Sequence, residues 1–362
     1  MRILVHAPNW VGDHVMAYPF YFTLNELFGK SDIYLIGRKW IASLYPPFFK
    51  QVIAFSHGKE PSPEEFHFLK SLTWDYAFTL SPSIRSALLL WRLKAHYRIG
   101  QRDKLRSLIL RLPPQRGSLR LPPPYPWEHR SLSYIRLLTP FFPTNQLAED
   151  YWQKYRHLKV SFPVSRKFLQ KKEVQLIRRQ YPQNFILGIC PGSVVPSKIY
   201  PVEHIQRVIE LFLEKYPKSV ILFLGSHIEK EYVQKITTAI SPNFQNRLLD
   251  FTTKTNLTEA GFLLQHCHVL LANDSGLAHL SSLSHTPLVS FQGMGRKEET
   301  LPLNPQKIIF HKQLRCSPCF QKKCPRRDYP LECLVSIPPQ EVFAAIENFL
   351  GEAFHQVIKI SV

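Results

Sequence analysis

Two consecutive doubly wound α/β units are what this sequence predicts, on three observations. The chain has 362 residues, more than one ordinary core accommodates and enough for two domains. Short apolar runs of strand length alternate with segments of helical periodicity, the pattern of a parallel sheet covered by helices on both faces. That alternation pauses near Lys159–Lys167 and then begins again, placing a boundary between residues 1–165 and 166–362.

In the first half, Arg2–Ala7 reads as a buried strand and Gly12–Phe28 as a helix, with Val15, Met16, Phe20, Leu24 and Leu27 on its apolar face. Ile33–Ile36, Val52–Phe55, Tyr76–Leu80 and His96–Ile99 are further short strands, and Ser83–Leu93 is a helix between the last two. Leu112–Pro126 is a proline-rich loop, and His129–Leu138 a short helix. In the second half, Phe185–Cys190, Val220–Leu224, Val269–Ala272 and Pro287–Phe291 are strands. Glu203–Tyr216, Glu229–Ile240, Ser275–Leu283 and the closing Pro339–Leu350 are helices. Two such units imply a cleft between them, with ligands bound at the carboxyl ends of the strands.

Composition narrows the function. Hydrophobic residues make up 44% and charged residues 20%, so the chain folds. Lys and Arg number 46 against 27 Asp and Glu, a formal net charge of +19, which calls for a polyanionic partner. The stretch Arg85–Arg136 carries 12 Lys and Arg with only Asp103 and Glu128 opposing them, and includes Arg98, Arg102, Lys104 and Arg106. Such a cluster suits phosphates or anionic headgroups, and no zinc-finger, homeodomain or RNP-type signature argues for nucleic acid. No apolar run reaches membrane-span length, and Asp13 and His14 interrupt the N-terminal apolar run before it resembles a signal peptide. Six cysteines are too few for a disulfide scaffold, which points to a reducing cytoplasm.

Three motifs carry chemistry. Asp13, beside Gly12 just past the first strand, is placed either as a general base or as a helix N-terminal carboxylate facing the dipole. Pro191-Gly192-Ser193 through Lys198 and Pro201 lies between a strand and a helix, where backbone N–H groups, the Ser193 hydroxyl and Lys198 can hold phosphate without the glycine spacing of a Walker loop. Asn273-Asp274-Ser275-Gly276-Leu277-Ala278-His279 starts a helix directly after a strand, and its free N–H groups suit a diphosphate. Asp274 alone could be an N-cap, and His279 alone a core residue. A fourth pattern, Cys316, Cys319, Cys324 and Cys333, could hold a tetrahedral zinc, but lacks the second C-x2-C of a zinc ribbon. Free or oxidation-sensitive thiols are therefore expected, with no metal.

These motifs together resemble the ADP-heptose:lipopolysaccharide heptosyltransferases of glycosyltransferase family 9, and most closely the second heptosyltransferase of the inner core. The residues that carry the likeness are Arg2–Val5, Trp10–Asp13, Arg98–Gly100, His129, Tyr134, Pro191–Ser193, Lys198, Pro201, Asn273–His279, Pro287–Val289 and the cysteine block. The sequence departs from the family's pattern at Tyr200, where Trp is usual, at Val194-Val195, and at Gly293–Lys297. The resemblance implies a GT-B fold, two Rossmann-like doubly wound domains facing a central cleft. The acceptor is then bound by the N-terminal domain and the nucleotide-sugar by the C-terminal one. It implies inverting transfer without metal or cofactor, with Asp13 deprotonating the acceptor hydroxyl. Ser193, Lys198, Asp274, Ser275, Gly276 and Leu277 would hold the donor diphosphate, His279 would shape the donor pocket, and Glu229 or Glu231 would meet the ribose. Gly12, Arg98, Arg102, Lys104 and Arg106 would serve a lipopolysaccharide inner-core and lipid A acceptor. The enzyme is then expected in the cytoplasm, peripheral on the anionic inner-membrane face, with no nucleic-acid partner.

Two other readings compete. A related GT-B enzyme with a different nucleotide-sugar or acceptor would share every motif. A basic nucleic-acid-binding protein with a four-cysteine zinc module would use the charge and the thiols, but leaves Asp13 and Asn273–His279 without roles.

Overall fold

The computed structural model describes residues 1–362 except 57, 102–104, 114–126, 181–183 and 361–362, and leaves aside the side chains of 180 and 352–360. The chain divides into two compact units, Met1–Leu158 and Lys159–Val362. No helix among the described residues is long and apolar enough to cross a membrane.

Unit 1 runs β1 (Arg2–His6), α1 (Val11–Met16), α2 (Tyr18–Phe28), β2 (Asp32–Arg38), β3 (Gln51–Phe55), α3 (Pro63–Ser71), β4 (Tyr76–Thr79), α4 (Ile84–Arg92), β5 (Tyr97–Gly100), α5 (Arg106–Ile109), α6 (Arg130–Ile135) and α7 (Ala148–Tyr155). Its strands are all parallel, in the order β3-β2-β1-β4-β5. The helix expected at Gly12–Phe28 is in fact two. Pro19 has no N–H and is tolerated only in a helix's first turn, so a new helix starts at Tyr18. The helix expected at His129–Leu138 ends at Ile135 and tightens into a 3-10 turn, Arg136–Phe141, that contains Pro140.

Unit 2 runs α8 (Arg166–Leu169), α9 (Lys172–Gln180), β6 (Ile186–Cys190), α10 (Val202–Lys215), β7 (Val220–Phe223), α11 (His227–Ala239), β8 (Leu248–Asp250), α12 (Leu257–Leu264), β9 (Val269–Ala272), α13 (Gly276–Ser284), β10 (Leu288–Phe291), α14 (Lys297–Thr300), β11 (Lys307–Phe310), α15 (Glu332–Val335) and α16 (Pro339–Ile360). Its parallel sheet has the order β11-β10-β9-β6-β7-β8. Strands β6, β7, β9 and β10 are buried along their whole length, as strands covered on both faces must be. Tyr200 is fully buried, stacked on Phe291 at 4.1 Å, and its hydroxyl donates to the Ile337 carbonyl at 2.8 Å, so this aromatic position serves the core.

The strand orders fix where ligands belong. In unit 1 the chain moves from β1 to β2 and β3 on one side, then returns to β4 on the other. In unit 2 it moves from β6 to β7 and β8, then returns to β9. Each reversal opens a crevice beyond the carboxyl ends of the two strands that flank it. Asp13 follows β1, and residues 191–198 and 273–279 follow β6 and β9.

Candidate active site

In unit 2, Cys190 at the end of β6 lies opposite Ala272 at the end of β9, so the loops that leave them meet at once. Asn273 joins the two. Its side-chain amide donates to the Pro191 carbonyl at 2.7 Å, and its oxygen accepts the Tyr200 N–H at 2.9 Å. Buried and doubly bonded, Asn273 fixes both ends of the segment that carries Ser193 and Lys198. The Ser193 hydroxyl donates to the Asp274 carbonyl at 3.2 Å, and Lys198 Nζ lies 2.6 Å from Asp274 Oδ2. Both charged side chains of this pair stay partly open to solvent. Ser275 is the N-cap of α13 but makes no capping bond with its side chain, so the helix presents its first N–H groups beside this ion pair. Leu277 and His279 are buried, as is the rest of α13 as far as Ser284.

A second loop braces Lys198 from behind. Ser197 donates from its hydroxyl to the Gln321 carbonyl at 2.6 Å and from its N–H to the Lys322 carbonyl at 3.3 Å. Gln321 and Lys322 belong to the cysteine-bearing segment. Cys316, Cys319, Cys324 and Cys333 all line one small pocket together with Ser197 and Gly293. All four thiols are free, and burial followed by the neighbouring thiols pushes Cys333 up to about 11. Among the described residues, no three His, Cys, Asp or Glu side chains form a metal-ligating group.

Glu229 and Glu231 sit in different surroundings. Glu231 is exposed and pairs with Lys235 at 2.8 Å on the outer face of α11. Glu229 is buried at the N-terminus of the same helix, where its Oε2 accepts the Ser226 N–H at 2.6 Å and the Ser226 hydroxyl at 2.8 Å. Two glycines make room for it. A Cβ on Gly192 would lie 2.8 Å from Glu229 Cγ, and one on Gly225 only 2.5 Å from Glu229 Cβ. Gly192 therefore brings the loop after β6 directly against the Glu229 carboxylate.

In unit 1, Asp13 lies in the first turn of α1, next to the half-buried Gly12. Its Oδ1 accepts from Arg130 Nη1 at 3.0 Å, a contact across 117 residues that ties the start of α1 to the start of α6. Among the described residues Oδ2 accepts no hydrogen bond, and Asp13 keeps some exposure. Beneath it, Tyr134 is buried, and burial together with the Asp13 charge holds its phenol neutral far above its usual range. His14, the next residue, turns into the core. Its Nε2 lies 2.8 Å from the Leu44 carbonyl, which can only accept, so Nε2 carries the proton and Nδ1 accepts from the Tyr21 hydroxyl at 3.0 Å.

The expected acceptor cations separate. Arg102 and Lys104 lie outside the described residues. Arg98 donates from Nε to Ile109 O at 2.9 Å and from Nη1 to Ala95 O at 2.8 Å. Arg106 is only 3% exposed, and its Nη2 donates to the Ser81 carbonyl at 3.1 Å. These two guanidiniums bind the backbone of their own unit. Two site contacts had not been foreseen, the Asn273 clamp and the Arg130–Asp13 pair. Asn273 was legible as part of the motif at 273–279, whereas the Arg130 contact spans too much sequence for any local pattern to reveal.

The sequence profile of glycosyltransferase family 9 (heptosyltransferase) matches residues 66–329. The chain belongs to glycosyltransferase family 9. The chain is therefore a glycosyltransferase, as its motifs implied. It is 26% identical to lipooligosaccharide heptosyltransferase 2 of Haemophilus ducreyi, over 85% of this chain and 88% of that protein. It is 25% identical to lipooligosaccharide heptosyltransferase 2 of Campylobacter jejuni, over 97% and 98%. The solved structure of Escherichia coli ADP-heptose lps heptosyltransferase II superposes with a TM-score of 0.73 at 22% identity, over 98% of this chain and 99% of that one. The family 9 fold predicted from the sequence, GT-B with its Rossmann-like parallel sheets, is the fold the chain adopts. The matched segment contains the whole Ser193–His279 assembly, while Gly12 and Asp13 precede it.

Proposed function

We propose that this family 9 enzyme transfers heptose from ADP-heptose to the inner core of lipopolysaccharide, with inversion at the anomeric carbon. The observation that carries the reading is the meeting of Lys198 with the uncapped start of α13 at the switch point of unit 2. A departing nucleoside diphosphate gains negative charge, and an ammonium and oriented N–H groups already in place stabilise that charge without reorganising. In this reading Ser193 adds a hydroxyl, the buried Glu229 meets the ribose, and Leu277 and His279 shape the donor pocket from within α13.

Unit 1 supplies the acceptor's half of the chemistry. Asp13 Oδ2 takes the proton of the acceptor hydroxyl as its oxygen bonds to the anomeric carbon, and the bond to the diphosphate oxygen breaks on the opposite face. Lys198 and the α13 N–H groups provide the charge compensation in this scheme, which needs neither metal nor cofactor. The lipid-bearing acceptor places the enzyme in the cytoplasm, peripheral on the anionic inner face of the membrane. The names of the heptosyltransferase 2 relatives support the sugar and the acceptor class.

A thermal-shift panel of ADP, UDP, GDP and CMP, each with its sugar conjugates, tests the donor. Selective stabilisation by ADP and ADP-heptose is expected. Stabilisation by UDP or GDP instead would favour a related family 9 enzyme with another donor.

A further inference from the structure

The basic segment predicted to meet an anion has an outward face that the transfer chemistry leaves unused. Helix α4 buries Ala87, Leu89 and Leu90, yet Ile84, Leu88 and Trp91, at spacings of four and three, all point outward. Trp91 is 57% exposed. Helix α5 packs beside α4 and adds Leu105, 68% exposed, and Leu108, 83% exposed. Five large apolar side chains exposed on neighbouring turns need a reason. Arg85, Arg92, Lys94 and Arg111 are exposed around them. Across residues 84–111 the sequence has eight Lys and Arg and a single acidic residue, Asp103.

We propose that this face of α4 and α5 docks the enzyme on an anionic lipid bilayer. Ile84, Leu88, Trp91, Leu105 and Leu108 enter the boundary between headgroups and acyl chains, and the four exposed cations meet lipid phosphates. The pattern is that of an interfacial surface, with an apolar stripe, an indole suited to the headgroup level and flanking cations. Other occupants fit less well. A second copy of this chain would bring two faces of the same charge together. A nucleic acid would use the cations and Trp91 but give four aliphatic side chains no partner. The inference rests on the reading that the acceptor is lipid-borne, and it names the face that reading leaves unassigned.

The test is sedimentation of the full chain with vesicles of phosphatidylethanolamine and phosphatidylglycerol, and with purely zwitterionic vesicles, at physiological salt. The wild-type chain is expected to partition onto the anionic vesicles. Trp91→Ser/Leu105→Ser/Leu108→Ser and, separately, Arg85→Glu/Arg92→Glu are each expected to lower that partition by about tenfold or more. All these positions are exposed, and unchanged melting curves would show that the variants fold. The triple apolar variant should keep wild-type transfer to a delipidated acceptor while losing transfer to the same acceptor embedded in vesicles. Wild-type partition in both variants would overturn the proposal. So would a vesicle-free dimer, or an oligonucleotide complex, that the apolar substitutions abolish. Vesicle binding that follows this pattern without transfer to either acceptor would support the docking face and overturn the heptosyltransferase reading instead.

Discussion

Lys198 and Asp274 form an ion pair 2.6 Å long where the loop after β6 meets the start of α13. Each is fixed by a neighbour, Lys198 through the Ser197 bonds to residues 321 and 322, and Asp274 through the Asn273 clamp. The carboxylate therefore fixes the ammonium beside the start of α13, where the proposed reaction puts the donor diphosphate. Lys198→Ala should lower kcat/KM by about 10²–10³-fold, the usual loss when one preorganised charge donor is removed. Lys198→Arg should recover only part of it, because a planar fork does not replace a compact ammonium. Steady-state kinetics with varied donor checks both. Near-wild-type kcat/KM in Lys198→Ala would remove Lys198 from the leaving-group site.

Asp13 is the single carboxylate assigned to proton transfer. Asp13→Asn keeps the shape and the contact with Arg130 but removes the base, so kcat should fall by about 10²–10⁴-fold. Nucleotide binding should be unchanged, because the donor residues all belong to unit 2. Calorimetric titration of ADP into the variant measures that half of the prediction. A variant that turns over normally would give Asp13 the alternative role of a helix-start carboxylate.

Gly192 tests the position of Glu229. Ala at 192 would place a methyl group 2.8 Å from Glu229 Cγ, closer than any real Cβ contact, so the Glu229 side chain or the loop must shift. Overpacking of this kind costs about 1–3 kcal/mol. The expected outcome is a raised donor KM with little change in acceptor KM. A Glu231→Gln variant should leave both constants alone, since Glu231 faces solvent beside Lys235.

Unit 1 should lose stability in mild acid. Burial lowers both His6 and His14 to about 4. The unfolded chain takes up a proton on each imidazole near pH 6.5 while the folded unit resists until about pH 4, so the unfolded state binds more protons throughout that window. Stability is thus complete above pH 6.5 and declines as the pH falls toward 4, by up to about 3 kcal/mol for each imidazole. Urea midpoints measured between pH 7.5 and 4.5 check this. His14→Gln, which can still donate and accept at the same site, should flatten the profile, and an unaltered slope would contradict the assignment.

What the sequence made legible follows from how locally each feature is encoded. Strand β9 occupies Val269–Ala272 as expected, because four apolar residues between polar turns leave little choice of limits. The loops proposed to hold phosphate were legible for the same reason, as short motifs at strand ends. Strands β8 and β11 were missed because three- and four-residue segments at the sheet edges are only half-buried and carry no clear alternation. Helices α3 and α12 went unassigned although the capping boxes Ser62–Glu65 and Asn256–Glu259 mark their starts. The direction of the basic side chains could not be read at all. Arg106 and Arg111 look alike in sequence, yet one is buried against the Ser81 carbonyl and the other is exposed. Tertiary packing separates them, since Arg106 turns inward from α5, which packs against α4, whereas Arg111 bridges to Arg98 through its backbone.

The most direct test of the central claim is a transfer reaction with purified enzyme, ADP-heptose and a delipidated inner-core acceptor, followed by mass spectrometry and nucleotide chromatography. The acceptor is expected to gain one heptose for each ADP released, and Asp13→Asn to do neither at a measurable rate. An acceptor that stays unmodified with ADP-heptose but is glycosylated from another nucleotide-sugar would contradict it.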